Sequence, residues 1–277
     1  MAPVRGTGRP SAQPSSVGWK QATTFPGFCS KHDGPTFAPL EAVLFAGTAE
    51  QCFLLAYRSL CFELYQKRGA LRAMPFTRQL LDRGLAPQEQ AEVQDDMDAY
   101  AEASIAGLRD LGETKTELDK ALLSQDWGAI ESDIVSFRGA IEVVSSGAAA
   151  PSADLRGTPL QRYEDLDTRL EELYWNVVAT DSGGAVVIGR RRNCPVMQRF
   201  VDDILRQGRA ALPSIVVQLL FLFLENTYFS AEWWKALSAA DRMLLRRLAA
   251  EIDASPAVID QRRQGLIGWQ ITGTQSV

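Results

Sequence analysis

The sequence predicts an α+β protein, mainly helical, with a small antiparallel sheet. Three observations carry this. Apolar residues recur at helical spacing through residues 49–68, 88–123 and most of the last third of the chain. Leu173–Ala179 and Ala185–Ile188 read as two strands around the turn sequence Asp181-Ser182-Gly183-Gly184. The chain has 277 residues, 46% of them hydrophobic, with six Trp and twelve Phe, which is ample material for a core and argues against global disorder.

Residues 1–20 are rich in Gly, Pro, Ser and basic residues and lack an apolar signal-peptide core, so they read as a disordered tail. Residues 21–277 are expected to form one mainly helical domain with a β-hairpin insert near 138–190. The stretch Phe25 to Asp33 continues into Gly34, Pro35 and Pro39, and this punctuation predicts a turn-rich loop with little regular structure. Thr48 is a fitting N-cap for a helix that should end at Gly69, with Phe53, Tyr57, Leu60 and Leu64 as its core stripe.

A long acidic helix is expected after Pro87, with Val93, Met97, Tyr100, Ser104, Leu108 and Leu111 in steps of four and three. Gly112 is expected to end it, and Glu113–Leu123 to return as an antiparallel partner. Asp126 would cap a short helix from Trp127. Ala140–Val144 reads as a first strand, followed by a loop through Pro159 and then the hairpin. In the last third, Val196–Gln207 is an amphipathic helix. Pro213 opens an almost wholly apolar segment to Leu224, the expected central helix, and Ser230 and Ser238 cap two more. That apolar run is broken by Pro213, Ser214 and Gln218 and falls short of the ~20 residues a membrane span needs.

The net charge of −5 argues against retention on nucleic acid by bulk electrostatics. Cysteines at 29, 52, 61 and 194 are scattered, as in a reduced, cytoplasmic protein. There is neither a Walker A sequence nor a G-x-G-x-x-G at a strand–helix junction. The only histidine is His32, which excludes H-E-x-x-H metalloproteases, two-histidine nucleases and phosphohydrolases that need further histidine ligands.

The densest chemistry lies at Cys29-x-x-His32-Asp33. Cys29 and His32 are half of a zinc site, which needs four ligands. Cys52 or Cys61 with Asp33, or a carboxylate such as Glu41, would have to complete it. Cys52 and Cys61 are nine residues apart, half a turn out of phase, so one helix cannot offer both to one metal. The plain alternative is a buried Cys29 thiol with His32 as a hydrogen-bonding loop anchor.

Arg58 and Glu63 lie on the helix after the loop, and either could face it. An Arg, a His and carboxylates in one cleft suit nucleotide or phosphate chemistry, with His32 as acid or base, Arg58 holding the anion, and Asp33 orienting the imidazole or binding a cation. A buried ion pair is the structural alternative, with Glu225 a further candidate partner for Arg58 across the core. Trp233 and Trp234 are expected to divide between core and pocket wall. Arg190-Arg191-Arg192 reads as a solvated strand end.

The runs FPGFCSKHDGPTFAPLE, LLAYRSLCFELY and FLENTYFSAEWWKAL together resemble a set of bacterial proteins with a C-x-x-H-D segment ahead of a tyrosine–arginine helix. The resemblance covers most of the chain beyond residue 20. It implies that Cys29, His32, Asp33, Arg58 and Glu225-Asn226 belong together, and a link to bacterial defence, but it brings no activity. Two functions stay open. One is an intracellular effector or enzyme acting on a nucleotide or phosphate-containing substrate through His32, Asp33, Arg58 and Glu63. The other is a non-catalytic interaction module in which the Cys29–His32 loop is a structural knot and the acidic hairpin 88–123 meets a partner protein.

Overall fold

The computed structural model describes residues 14–18, 25, 27–251 and 255–277. The tail expected over residues 1–20 lies largely outside them. The chain is α+β, as the sequence predicts, but the sheet is twice the expected size. Its six strands are β1 (Ile130–Arg138), β2 (Val143–Ala149), β3 (Leu173–Thr180), β4 (Gly183–Arg191), β5 (Thr227–Phe229) and β6 (Gln270–Ser276). They run in the order β5-β2-β3-β4-β1-β6, antiparallel at every pairing.

The hairpin β3–β4 falls where the turn sequence puts it. Gly183 at φ +153° is required there, because a Cβ would sit 2.2 Å from the carbonyl oxygen of Phe137. β1, β5 and β6 are additions to the expected sheet, and β2 begins at Val143 and runs through the small residues assigned to a loop.

Both faces of the sheet are covered. Val135, Phe137, Leu173, Trp175, Val186 and Ile188 point to one face. There they pack on α4 (Pro195–Leu205), α5 (Leu212–Phe223) and α7 (Ala239–Ala250). α5 is the central buried helix, as expected. Its two polar interruptions are in use: Gln218 donates to the Asp260 carbonyl at 3.0 Å and accepts from its N–H at 2.7 Å, and Ser214 Oγ accepts from Leu266 N–H. Ser230 and Ser238 cap α6 (Ala231–Ala236) and α7 through their hydroxyls, as predicted. Trp233 is buried with its indole N–H on the Leu266 carbonyl, whereas Trp234 is half-buried and stacked on Phe229.

The other face carries Ile130, Ala148 and Tyr174, with Ile134, Ala185 and Val187 beside them. α2 (Ala49–Leu81) lies across β1 to β4 on this face, and Gly189 lets Ala56 approach β4 closely. Thr48 caps α2 as predicted, accepting from Gln51 N–H. Gly69 does not end it: the helix runs on to Leu81 through Gly69 and Pro75. Similarly, Gly112 does not end α3, which is continuous from Pro87 to Ser124. The antiparallel partner of the acidic segment is therefore α2 and not residues 113–123. Packing overrides the two glycines: Met74, Val93 and Met97 form a small core between the helices, flanked by Leu71, Leu81, Leu85 and Tyr100.

At 1.5 Å per residue, α2 and α3 are roughly 50 and 57 Å long. Residues 49–64 and 108–124 share the main clusters with the sheet or bind the segment leading into β3: Leu108 packs against them, Arg109 donates to the Leu166 carbonyl and Asp110 accepts from Leu170 N–H. Residues 65–107 form an arm beyond it, closed at the tip by Gly84 at φ +83°. A short helix does start at Trp127 with Asp126 at its N-cap position, but it is a single 3-10 turn (Trp127–Ala129), and the Asp126 side chain makes no capping bond and pairs with Arg192 at 2.9 Å. No helix among the described residues is long and apolar enough to cross a membrane.

Candidate functional site

The segment read as an irregular loop is a helix, α1 (Ser30–Glu41), despite Pro35 and Pro39. Its N-cap is Cys29, whose carbonyl accepts from the N–H groups of His32 and Asp33, both at 2.9 Å. The two prolines remove backbone donors and would disfavour an isolated helix. Tertiary packing compensates: Phe37 is wholly buried, with its ring 4.9 Å from that of Phe28 and 6.5 Å from that of Tyr57. Phe25 extends this aromatic cluster edge-on to Phe28, Phe62 and Tyr65.

Cys29 Sγ lies 3.1 Å from His32 Nδ1, so the helical turn does bring thiol and imidazole together. Both side chains are at the surface, which corrects the expectation of a buried Cys29 thiol. Among the described residues no group of three or more His, Cys, Asp or Glu side chains is gathered as a metal site. Cys52 faces the sheet beside Ile134 and Val187, and Cys61 lies in the α1–α2–α3 cluster; burial pushes both thiols up to about 11. Cys194 is buried on the far face, its thiol also raised by burial. Glu41 is taken up by Arg58.

Arg58 is held by the two ends of α1. Its Nη2 donates to Glu41 Oε1 at 3.1 Å and lies 4.0 Å from Asp33 Oδ1, while its guanidinium sits 4.9 Å above the Phe37 ring. Asp33 Oδ1 is itself shielded from solvent without a hydrogen bond. Of the two candidate residues on α2, Arg58 reaches the Cys29–Asp33 segment and Glu63 does not. Glu63 pairs with Lys67 at 3.3 Å, and its carboxyl is raised mainly by burial, opposed by Lys67 and reinforced by Glu225. Glu225 is exposed at the end of α5 and makes no ion pair with Arg58 among the described residues. Asn226 donates to the Ser146 carbonyl of β2. The implied grouping thus separates into a Cys29–His32–Asp33–Arg58–Glu41 corner and a Glu63–Lys67–Glu225 edge.

Several polar constellations were hidden in the sequence. The arginine run is solvated only at Arg192, which is exposed on Asp126, because strand alternation sends its members apart. Arg190 is buried on Asp133 at 2.6 Å. Arg191 turns to the α3 face and binds both Glu117 and Glu171, and Arg169 also joins Glu117, at 2.7 Å. Glu172, buried beside this network and accepting from Tyr174 Oη at 3.3 Å, is pushed up to about 7 by its burial. Under α2, Ser59, Ser146 and Asn176 share a buried cluster whose Asn176 Nδ2 has no partner.

The arm has a surface of its own. On α2, Tyr65, Phe76 and Leu80 are 46, 67 and 53% exposed. Arg68 and Arg72 lie on the same stripe. On α3, Glu92, Asp95, Ala99 and Glu102 are exposed in one stripe with Ile105, which is 60% exposed. Arg78 pairs with Asp98 inside the arm, whereas Arg68, Arg72, Glu92, Asp95 and Glu102 form no ion pair with any described residue. The acidic side was legible in the sequence; the basic and aromatic side was concealed by the expected stop at Gly69.

The chain matches no protein-family model, no curated protein and no solved structure.

Proposed function

We propose that the protein is a non-catalytic interaction module whose arm, residues 65–107, meets a partner protein. The observation that carries this is the arm: two helices run past the sheet they cover, share a small core, and turn Tyr65, Phe76, Leu80 and Ile105 outward. Large apolar side chains left exposed on both edges of such an arm, among charged neighbours, suit association with a partner. In this reading the α1 segment is a knot tied by Phe25, Phe28 and Phe37, and the exposed Cys29–His32 pair contributes little to it. The test is photo-crosslinking of the full chain with a photoreactive phenylalanine analogue at Phe76, at Glu102 and, as a control on the opposite layer, at Met243. Adducts with protein are expected from the two arm positions and not from the control; no adduct from either arm position sinks the reading.

One feature favours a second reading, an enzyme acting on a nucleotide or phosphate-containing substrate. Glu41, the hydrogen-bond partner of Arg58, also lines a groove of about 400 Å³ with Val43, Phe45, Leu55 and Val178. In this reading Arg58, tied to the groove through Glu41, would hold the anion, with His32 as acid or base and Asp33 orienting it. Against this, Glu41 and Asp33 already counter the charge of Arg58. Saturable binding of a labelled nucleotide that Arg58→Ala abolishes would move the balance to this second reading.

A further inference from the structure

We propose that the occupant of the arm is a second copy of the chain, with the basic, aromatic stripe of α2 on one copy lying against the acidic stripe of α3 on the next. This rests on the arm being the interface and names what it binds. The two stripes are chemically complementary, and their charged residues form no ion pair with any other described residue. α2 offers Arg68, Arg72, Phe76 and Leu80. α3 offers Glu92, Asp95 and Glu102 around the small Ala99, which leaves room for a large ring to approach.

The register also fits. Within one chain Arg78 lies beside Gln94 and Asp98, and Lys67 lies over Gly107, which brings Arg72 level with Glu102 and Phe76 level with Ala99. Two arms placed side by side in the same orientation repeat that antiparallel relationship between copies, so Arg72 would face Glu102 of its neighbour. Phe76 is two residues, about 200°, from the inward-facing Met74, and Ala99 is likewise two residues from Met97. The stripes therefore lie on opposite edges of the arm and the contact is head-to-tail, closing into a ring only if the rotation between copies closes.

An anionic lipid surface or nucleic acid fits less well. Either would engage only the arginines of α2 and leave the acidic stripe on the opposite edge without a counterpart, whereas a chain of copies satisfies both stripes at once.

The experiment is sedimentation velocity on the full chain over a range of concentration at low and high salt. The expected result is concentration-dependent association at low salt that dissociates as salt is added. Arg72→Glu alone and Glu102→Arg alone should each weaken association by on the order of tenfold or more, because like charges then meet at every contact. Mixing the two single variants should restore it, since each contact in an alternating assembly again pairs Arg with Glu. Both positions are exposed, and circular dichroism of each variant checks that it folds. Wild type sedimenting as one chain throughout overturns the proposal. Association unchanged by either reversal, or not regained on mixing, overturns it as well. A heterologous adduct from Phe76 with a monomeric wild type would keep the arm as an interface and remove only the second copy; no adduct and no association would remove both.

Discussion

Arg190 Nη1 donates to Asp133 Oδ2 at 2.6 Å with both side chains 6% exposed, so a full ion pair is enclosed where β4 crosses beside β1. Asp133 is further held by Ser276 Oγ of β6 at 2.6 Å, and Arg190 reaches Glu131 at 3.2 Å. Removing one partner leaves the other charge buried. Asp133→Ala is therefore expected to cost about 3–5 kcal/mol, while the joint replacement Asp133→Leu with Arg190→Met should recover most of it. Chemical denaturation of the three proteins tests this; a double variant no more stable than the single one contradicts it.

The aromatic knot and the polar pair in the α1 segment differ in weight. Phe37→Ala, at a fully buried ring, should lower stability by about 3–5 kcal/mol. His32→Ala, at the surface, should stay within about 0.5 kcal/mol. Thermal melts of both, with zinc measured by mass spectrometry in wild type and His32→Ala, separate the two roles. One equivalent of zinc lost in the variant, with a large fall in melting temperature, would instead make Cys29 and His32 the fastening.

Glu172 sets a pH dependence. Its folded-state value of about 7 lies above the ordinary carboxyl value near 4.5, so the folded protein binds this proton more tightly than the unfolded chain. The favourable contribution is fully present below pH 4.5 and is lost as pH rises to about 7, by on the order of 3 kcal/mol, with no further change above. Glu172→Gln keeps an acceptor for Tyr174 and removes the titration. Its stability relative to wild type should rise between pH 5 and about 7.5; a flat difference across that range would contradict the assignment.

The thiols offer a rapid check of the packing. Cys29 is exposed, whereas Cys52, Cys61 and Cys194 are buried. An aromatic disulfide reagent should titrate one thiol quickly in the native protein and all four cysteines after denaturation. Two or more fast thiols would mean that the α1–α2 cluster opens readily.

Where neighbouring residues alone decide the structure, the sequence was readable. Asp181-Ser182-Gly183-Gly184 specifies the β3–β4 turn, Ser230 and Ser238 specify caps, and the apolar run after Pro213 specifies a buried helix. β1 was not legible because Glu131, Ser132, Asp133 and Ser136 interrupt its apolar pattern, and the charge of Asp133 is countered by Arg190 from a distant strand. β6 was missed because its side chains are mostly exposed and its pairing with β1 is its support. Gly69 and Gly112 carry the local mark of a helix end, but long-range packing between α2 and α3 outweighs the ~1 kcal/mol each costs. At the candidate site, the closeness of Cys29 to His32 follows from their spacing. The grip of Glu41 and Asp33 on Arg58 needed the turn of α1, which Pro35 and Pro39 had argued against.

The continuity of α2 and α3 has a mechanical consequence. Each is clamped at one end against the sheet and supported over the rest by the other helix, so the arm is a stiff cantilever about 30 Å long. A sideways load at its Gly84 tip becomes torque at the clamp, where Tyr57 on α2 meets Asp119 and Lys115 on α3 through hydrogen bonds of 2.6 and 3.3 Å. Both rails carry compliant points, Gly69 and Pro75 on α2 and Gly107 and Gly112 on α3, and those nearest the clamp are where such a load would bend the arm.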